Sequence, residues 1–530
     1  MSSLTTNVIG DAVRYVIGID GGTESIRARV FDLTGRCRGS ASQPYTTRLG
    51  PGARAEQNPE HWWDALGVAV RGAVANAGIS ANAVDAISLA TTCCTVVVLD
   101  ADGCALRPAI LWMDVRAEVE AGDVLATGDP ALNVNGAGRG PVSAEWMVPK
   151  AMWIARHEPD IYAQATTICE YQDFMNLRLT GRCCASLNNV SIRWHYSLLH
   201  GGYPKGLLAE LEFDSLLGKW PAEVLAPGEV IGELTSDAAD HLGLSRTTKV
   251  VQGGADALIG MIGIGVAAPG QLALITGSSH LMFGVSSSPV SVEGLWGTYA
   301  GAVYPGRHII EGGQTSTGSI VNWLRRITGG QLDFAALNAD AMQLEPGCDG
   351  LLVLDHFQGN RTPHVDALSR GAFVGLTLGH GMPHLFRATI EGICFGSRAI
   401  FERMAEAGFT ASEITIGGGA TASDLWLQLH ADIAGLPVSV PEATEAPSLG
   451  AAVLAAMGAG HFANIDDGIA AMVRPGRRIE PRPRERAIYD ELYERYKKLY
   501  PALRPFNRPA AVADCRPATN AAEPPLNFPS

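Results

Sequence analysis

Tyr15-Val-Ile-Gly-Ile-Asp20-Gly-Gly-Thr23-Glu-Ser-Ile-Arg27-Ala-Arg-Val-Phe31 is the stretch whose reading decides the fold. Val16, Ile17 and Ile19 make a short apolar strand. Beyond the glycines, Ile26, Ala28 and Val30 alternate with Ser25, Arg27 and Arg29, the period of a half-buried strand. Gly21-Gly22 between them predicts a tight hairpin with positive φ. A turn without side chains exposes backbone N–H groups, and such a nest can cradle phosphate oxygens. Asp20 suits a magnesium ion held through water, because Mg²⁺ keeps several waters and takes few carboxylates. Thr23 adds a hydroxyl donor. An ordinary hairpin fits the same residues, so the phosphate reading depends on what recurs downstream.

The pattern recurs. Near Lys249-Val-Val-Gln252 an apolar strand runs into Gly253-Gly-Ala-Asp256 and an apolar helical stretch. Asp256 there is either a helix cap or a general base for a substrate hydroxyl. Leu272-Ala-Leu-Ile-Thr276-Gly-Ser-Ser279-His280 is a second strand entering a glycine-hydroxyl turn. Glu311-Gly-Gly-Gln314-Thr-Ser-Thr-Gly318 precedes a helix with Asn322, and Gly417-Gly-Gly-Ala420-Thr-Ala-Ser423 joins the strand Glu413 to Ile416 to the helix Leu425 to Ile433. Strand, glycine turn and helix N-terminus together suit a nucleotide. Four such loops, each at a strand end, predict two α/β lobes facing each other across a cleft. The lobes are expected at 14–245 and 246–505, after a loose leader (1–13) and before a disordered Pro/Ala/Asn-rich tail (506–530).

Composition narrows the classes. The chain has 530 residues, 47% of them hydrophobic, enough for a large core. Its formal charge of −14 argues against nucleic acid as the main partner. Ten scattered cysteines without C-x-x-C spacing read as free thiols in a reducing compartment. No signal pattern opens the chain, and the apolar run Leu258 to Ala268 is far shorter than the roughly 20 residues a bilayer needs. A cytoplasmic protein without membrane association is expected. The basic stretch Arg474 to Arg486 reads as a solvated connection before the last helix. Gly263-Ile-Gly265-Val-Ala-Ala268 imitates a dinucleotide fingerprint, but Pro269-Gly270 stops the helix it needs. Asp355, His356, His364 and Asp366 match no metal spacing and read as loop hydrogen bonding.

Taken in order, these motifs resemble the FGGY carbohydrate kinases over roughly residues 14 to 500. Asp20-Gly-Gly-Thr23 resembles their first phosphate hairpin, Leu111-Trp-Met-Asp114-Val-Arg116 their sugar-binding W-x-D-x-R segment, and Gly253-Gly-Ala-Asp256 their catalytic-base motif. Gly371 to Leu376 with His384 to Glu391 is similar to their C-terminal signature, and Gly417 to Ser423 to their adenosine motif. The resemblance implies two actin-like (RNase H-like) lobes with ATP, Mg²⁺ and sugar in the central cleft. It implies Asp256 as catalytic base and Asp20 near the metal. Gly22, Thr23, Arg27, Gly277, Ser278, Gly318, Asn322, Gly419 and Ser423 would face ATP. Cys93, Asp114, Arg116, Asp173 and Asp256 would face the sugar. Glu24 departs from the usual Thr or Ser, and its extra negative charge beside phosphates is unfavourable unless Arg27 pairs with it.

Thr92-Cys-Cys94-Thr-Val96 resembles in part the T-C-S-L-V segment of the ribulokinase branch. Ribulose is therefore favoured as substrate, with xylulose or a polyol such as ribitol as alternatives. A non-catalytic sugar sensor of the same fold is the rival reading. A nucleotide-dependent dehydrogenase is weakened by the failed fingerprint. Sequence leaves the oligomeric state open, a homodimer included.

Overall fold

The computed structural model describes residues 13–329, 333–443 and 445–507. The expected leader and tail lie, apart from residues 13, 506 and 507, outside the described residues.

Two large sheets organise the chain. In the first, Tyr15–Gly21, Ser25–Asp32 and Cys37–Pro44 form an antiparallel meander. Tyr15–Gly21 also pairs in parallel with Val84–Thr91, which pairs in parallel with Lys249–Ala255; Val230–Glu233 closes that edge antiparallel. In the second, Gln271–Thr276, His280–Ser286 and His308–Gln314 form the meander, extended by Trp296–Ala300. Gln271–Thr276 pairs in parallel with Glu413–Gly418, which pairs in parallel with Val438–Val440, and Arg477–Ile479 closes the edge antiparallel. Five strands, the three of the meander and the two parallel ones beside it, follow the same order in both sheets; the edge strands differ, since Val230–Glu233 precedes its neighbour in the chain, Arg477–Ile479 follows its own, and the second sheet adds Trp296–Ala300.

Burial follows the pattern in the sequence. Val16 to Gly21 is buried throughout, as in a central strand covered on both faces, whereas Ser25–Asp32 begins with the alternation read from its sequence. The helix Pro59–Ala77 is capped at both ends, with Asn58 accepting the Glu60 N–H at its start and Gly78 left-handed at its end.

The boundary expected between 245 and 246 moves. Lys249–Ala255 belongs to the first sheet through its parallel pairing with Val84–Thr91, so the second lobe begins at Gln271. Arg474 to Arg486 also differs from expectation. It contains the edge strand Arg477–Ile479, and Arg482 makes 3.0 and 2.6 Å bonds from its guanidinium to the buried Asp432.

Two helices join the lobes. Asp256–Gly263 leaves the first sheet, and Ala446–Ala459 returns from the second lobe to cross it. Their backbones touch where glycines replace side chains. A Cβ on Gly263 would lie 1.9 Å from the Ala446 carbonyl oxygen, and one on Gly450 2.0 Å from that of Ile259. The same returning helix covers the first sheet at Gly18, whose Cβ would meet the Ser448 carbonyl oxygen at 1.8 Å.

A five-stranded sheet sits against the first lobe. Its strands Val96–Leu99 and Ala109–Ile110 flank the turns that carry Cys93-Cys94 and Trp112.

Candidate active site

Parallel pairing brings three strand ends to one edge of the first sheet. Gly21 is opposite Thr91, and Thr91 is opposite Ala255. Asp20, Cys93 and Asp256 therefore cluster at the carboxyl ends of these strands, where ligands bind in α/β sheets.

The first hairpin turns through a Gly22 N–H to Ser25 O bond of 3.1 Å. Neither Gly21 nor Gly22 has the expected positive φ. Gly21 is required by close approach instead: its Cβ would lie 2.9 Å from the Tyr171 hydroxyl. Side chains buttress the turn from behind. Tyr45 donates its hydroxyl to Gly22 O, Gln57 Nε2 donates to Thr23 O at 2.7 Å, and Trp112 Nε1 donates to Thr23 Oγ1 at 3.0 Å.

Arg27 does not answer Glu24. The register sets Asp20 opposite Arg27, and the guanidinium bonds Asp20 Oδ2 at 2.9 Å. Glu24 is exposed, so water screens its charge. Burial raises the Asp20 carboxyl above its ordinary range despite Arg27.

Asp256 is the first residue of its helix, and the cap position belongs to Ala255. Its one hydrogen bond to protein is accepted from the Ala257 N–H at 2.7 Å. Burial, then the negative charge of Asp20, push its carboxyl up to about 7. Two acids that oppose each other's ionisation make a site suited to a cation and to proton transfer near neutrality.

Three expected sugar contacts are turned inward. Asp114 is fully buried, with its oxygens taken by the Ala55 N–H at 2.6 Å, the Arg116 N–H at 3.0 Å and the Arg116 guanidinium at 2.8 and 2.6 Å. Arg116 completes its bonding on Glu56 and packs over the Trp153 ring. Asp173 is fully buried and accepts the Glu170 and Ser186 N–H groups. These residues frame the site. From the W-x-D-x-R segment Trp112 and Val115, each 39% exposed, are presented outward.

A buried Lys150–Glu170 scaffold holds the cysteine turn. Cys94, at φ 60°, donates its N–H to Glu170 Oε2 at 3.0 Å, and its carbonyl accepts from Lys150 Nζ at 2.7 Å. Lys150 also bonds Leu111 O at 2.6 Å, tying this turn to the Trp112 segment. Burial lowers the Lys150 ammonium to about 8 and raises the Glu170 carboxyl to about 7. The sequence carried a signal for it: Lys150 interrupts the apolar run Met147 to Ile154.

In the second lobe, three segments converge on the hairpin between Gln271–Thr276 and His280–Ser286. The carbonyls of Gly277 and Ser278 accept the N–H groups of Gly318 and Ser319, both at 3.2 Å. A Cβ on Gly318 would fall 2.4 Å from Gly277 O. Thr276 Oγ1 donates to Gly417 O at 2.8 Å and accepts the Ala420 N–H at 3.0 Å. Gly419 is exposed, with open space where a Cβ would stand. Ser423 caps the helix Asp424–Ala434 and bonds Asn338 at 2.6 Å. Asn322 is exposed and, with Ser278, Ser319, Arg325 and Arg326, lines a recess of about 480 Å³.

Glu311-Gly-Gly-Gln314 is not a loop: it lies within the strand His308–Gln314. Glu311 is buried and joins the lobes. It receives Arg193 at 3.0 Å, the Tyr299 hydroxyl at 2.8 Å, and Arg361. Burial opposes its charge, but the two guanidiniums outweigh burial and hold the carboxyl at about 2. Beside it a recess of about 400 Å³ opens between Trp146 and Arg193 of the first lobe and Trp296 and Arg361 of the second.

The arrangement predicts that Trp112→Phe, which keeps the ring but removes the N–H, weakens turnover by about 3- to 10-fold, the worth of one hydrogen bond. The Trp112 bond occupies a lone pair of the Thr23 hydroxyl, whose proton stays available to donate. Steady-state kinetics check this; an unchanged kcat/KM for ATP and sugar would show the bond to be idle.

Comparison with known proteins decides the family. Residues 15–263 match the N-terminal domain, and residues 272–459 the C-terminal domain, of the FGGY family of carbohydrate kinases. The chain belongs to the FGGY family. It is an ATP-dependent carbohydrate kinase, with the actin-like two-lobe fold of that family. This FGGY kinase is 30% identical to an "FGGY carbohydrate kinase domain-containing protein" of Homo sapiens over 533 residues, 92% of this chain and 96% of the relative. It is 30% identical to the "Ribulokinase" of Shouchella clausii over 538 residues, 92% of this chain and 95% of that one. Among solved structures, the xylulose kinase from Rhodospirillum rubrum superposes with a TM-score of 0.84 at 29% identity, covering 93% of this chain and 100% of that one. The candidate metal cluster 355–366 resolves as loop bonding: Asp355 accepts from Gln314 at 2.7 Å, and His356 pairs with Ser369 at 2.7 Å. Among the described residues, no helix is long and apolar enough to cross a membrane.

Proposed function

We propose that this kinase transfers the γ-phosphoryl group of ATP to the terminal primary hydroxyl of a ketopentose, ribulose ahead of xylulose. The observation that carries the reading is the cluster of Asp256, Asp20 and the small Cys93 side chain at three adjacent strand ends. Support for the substrate class comes from the ribulokinase and xylulose kinase relatives.

In this reading Asp256 accepts the proton of the attacking hydroxyl, and Thr23, Gly22, Gly277 and Ser278 hold the phosphates from the two hairpins. Gly318, Asn322, Gly419 and Ser423 flank the nucleoside. Arg27 holds Asp20 in place beside the phosphates. Asp20 would hold Mg²⁺: Arg27 bonds its Oδ2, and among the described residues its Oδ1 accepts no hydrogen bond. When bound, the ion neutralises charge on the transferring phosphoryl group. Cys93 lies on the sugar side, with Trp112 in the place expected for Asp114.

A coupled ADP-release assay over pentuloses, polyols and glycerol tests the reading. A site that hydrogen-bonds particular hydroxyls rejects analogues lacking them, so kcat/KM for ribulose should exceed that for glycerol by at least about 10². Equal turnover of glycerol removes the pentulose assignment. ATP hydrolysis indifferent to every sugar, with sugar bound, favours the sensor.

A further inference from the structure

Cys93 and Cys94 face each other with their sulfurs 3.8 Å apart. That is too far for a disulfide, whose sulfurs stand about 2.05 Å apart, but close enough for one atom to bridge them. The spacing is held from both sides. The Cys94 N–H is fixed on Glu170 and its carbonyl on Lys150, and both partners are fully buried. Cys93 is half-buried at the strand ends and Cys94 is buried behind it. A reagent therefore meets Cys93 first and closes on Cys94. The contact with the Cys93 sulfur, then burial, hold the Cys94 thiol well above its ordinary range.

We propose that Cys93 and Cys94 form a preset dithiol that chelates trivalent arsenic, or a thiophile of the same bidentate kind, in the cleft. With a monosubstituted arsenoxide, two As–S bonds form and the As–O bonding is lost. The two thiol protons leave with the oxygen as one water, and arsenic stays trivalent. No oxidant or reductant enters.

The other adjacent pair does not offer this bite. Cys183 is directed to Cys169, whereas the Cys184 thiol bonds Gln252 Oε1 at 3.7 Å. The second As–S bond forms inside one turn, so its effective concentration is high, and losing one sulfur should weaken retention by about 10² or more.

The test uses phenylarsine oxide and the intact protein, read by mass spectrometry and peptide mapping. The expected result is one adduct per chain on Cys93 and Cys94. It is released by 2,3-dimercaptopropanol but not by a monothiol, is retained in Cys183→Ser, and is held about 10² less tightly in Cys94→Ser and in Cys93→Ser. Equal retention in Cys94→Ser, or an adduct mapping to Cys169 and Cys183, overturns the proposal; mapping on the wild-type chain keeps it testable if a variant does not fold. Protection by ribulose or xylulose rests on the sugar-site reading above. Loss of protection with the adduct intact overturns that reading and upholds the dithiol.

Discussion

Asp256→Asn is expected to lower kcat by about 10² to 10⁴ while leaving the melting temperature and ATP affinity close to those of the wild type. The carboxylate caps no helix and bonds only the next N–H, so the amide should fit the same space. The pH dependence supplies a second readout. An acid held at about 7 by burial and by Asp20 must lose its proton before it can accept another, so wild-type kcat/KM should fall as pH drops below about 7. Asp256→Asn should lack that acid limb. Retention of more than about a tenth of kcat, or an unchanged limb in the variant, would assign the base elsewhere.

Gly418→Ala is expected to raise the KM for ATP by at least about tenfold and to destabilise the fold by about 1–3 kcal/mol. The added Cβ would lie 2.0 Å from the Thr276 carbonyl oxygen, at φ 91°. Relief requires parting the Gly417 loop from Thr276, which holds it by the 2.8 and 3.0 Å bonds on its hydroxyl. Gly419→Ala is the control, since nothing lies within 4 Å of its Cβ position. Its melting temperature should stay near that of the wild type. Equal losses in both variants, read by thermal unfolding, would remove the steric argument.

Local patterns were legible in the sequence because they are carried by neighbours in the chain. The alternation after Thr23 and the strand before Asp256 both survive in the structure. What sequence could not carry depends on pairing between distant segments. Lys249–Ala255 joined the first sheet because it lies beside Val84–Thr91, a partner far away along the chain. Arg27 found Asp20 because hairpin register set them opposite. Gly312 and Gly313 looked like a loop but permit close packing inside a strand, where a Cβ on Gly312 would press on Ile400 at 2.6 Å. Asp114, Arg116 and Asp173 are polar and near the site, yet their bonding is closed among themselves, Glu56 and the backbone, which composition alone does not disclose. The likeness of the two lobes, invisible in residue identities, shows in the order of the five central strands of each sheet.

The bare crossing of Asp256–Gly263 with Ala446–Ala459 has a mechanical meaning. Glycines at the contact bring backbone against backbone inside the apolar core that both helices share, so any rotation of one lobe on the other would have this crossing as its axle. Rotation displaces each group in proportion to its distance from the axle. Asp256 stands at the head of the axle helix, roughly 10 Å from Gly263 at 1.5 Å per residue. The Gly277 and Gly417 loops lie out on the far sheet. In such a rotation the Gly277 and Gly417 rims would travel farthest and Asp256 would stay nearly still.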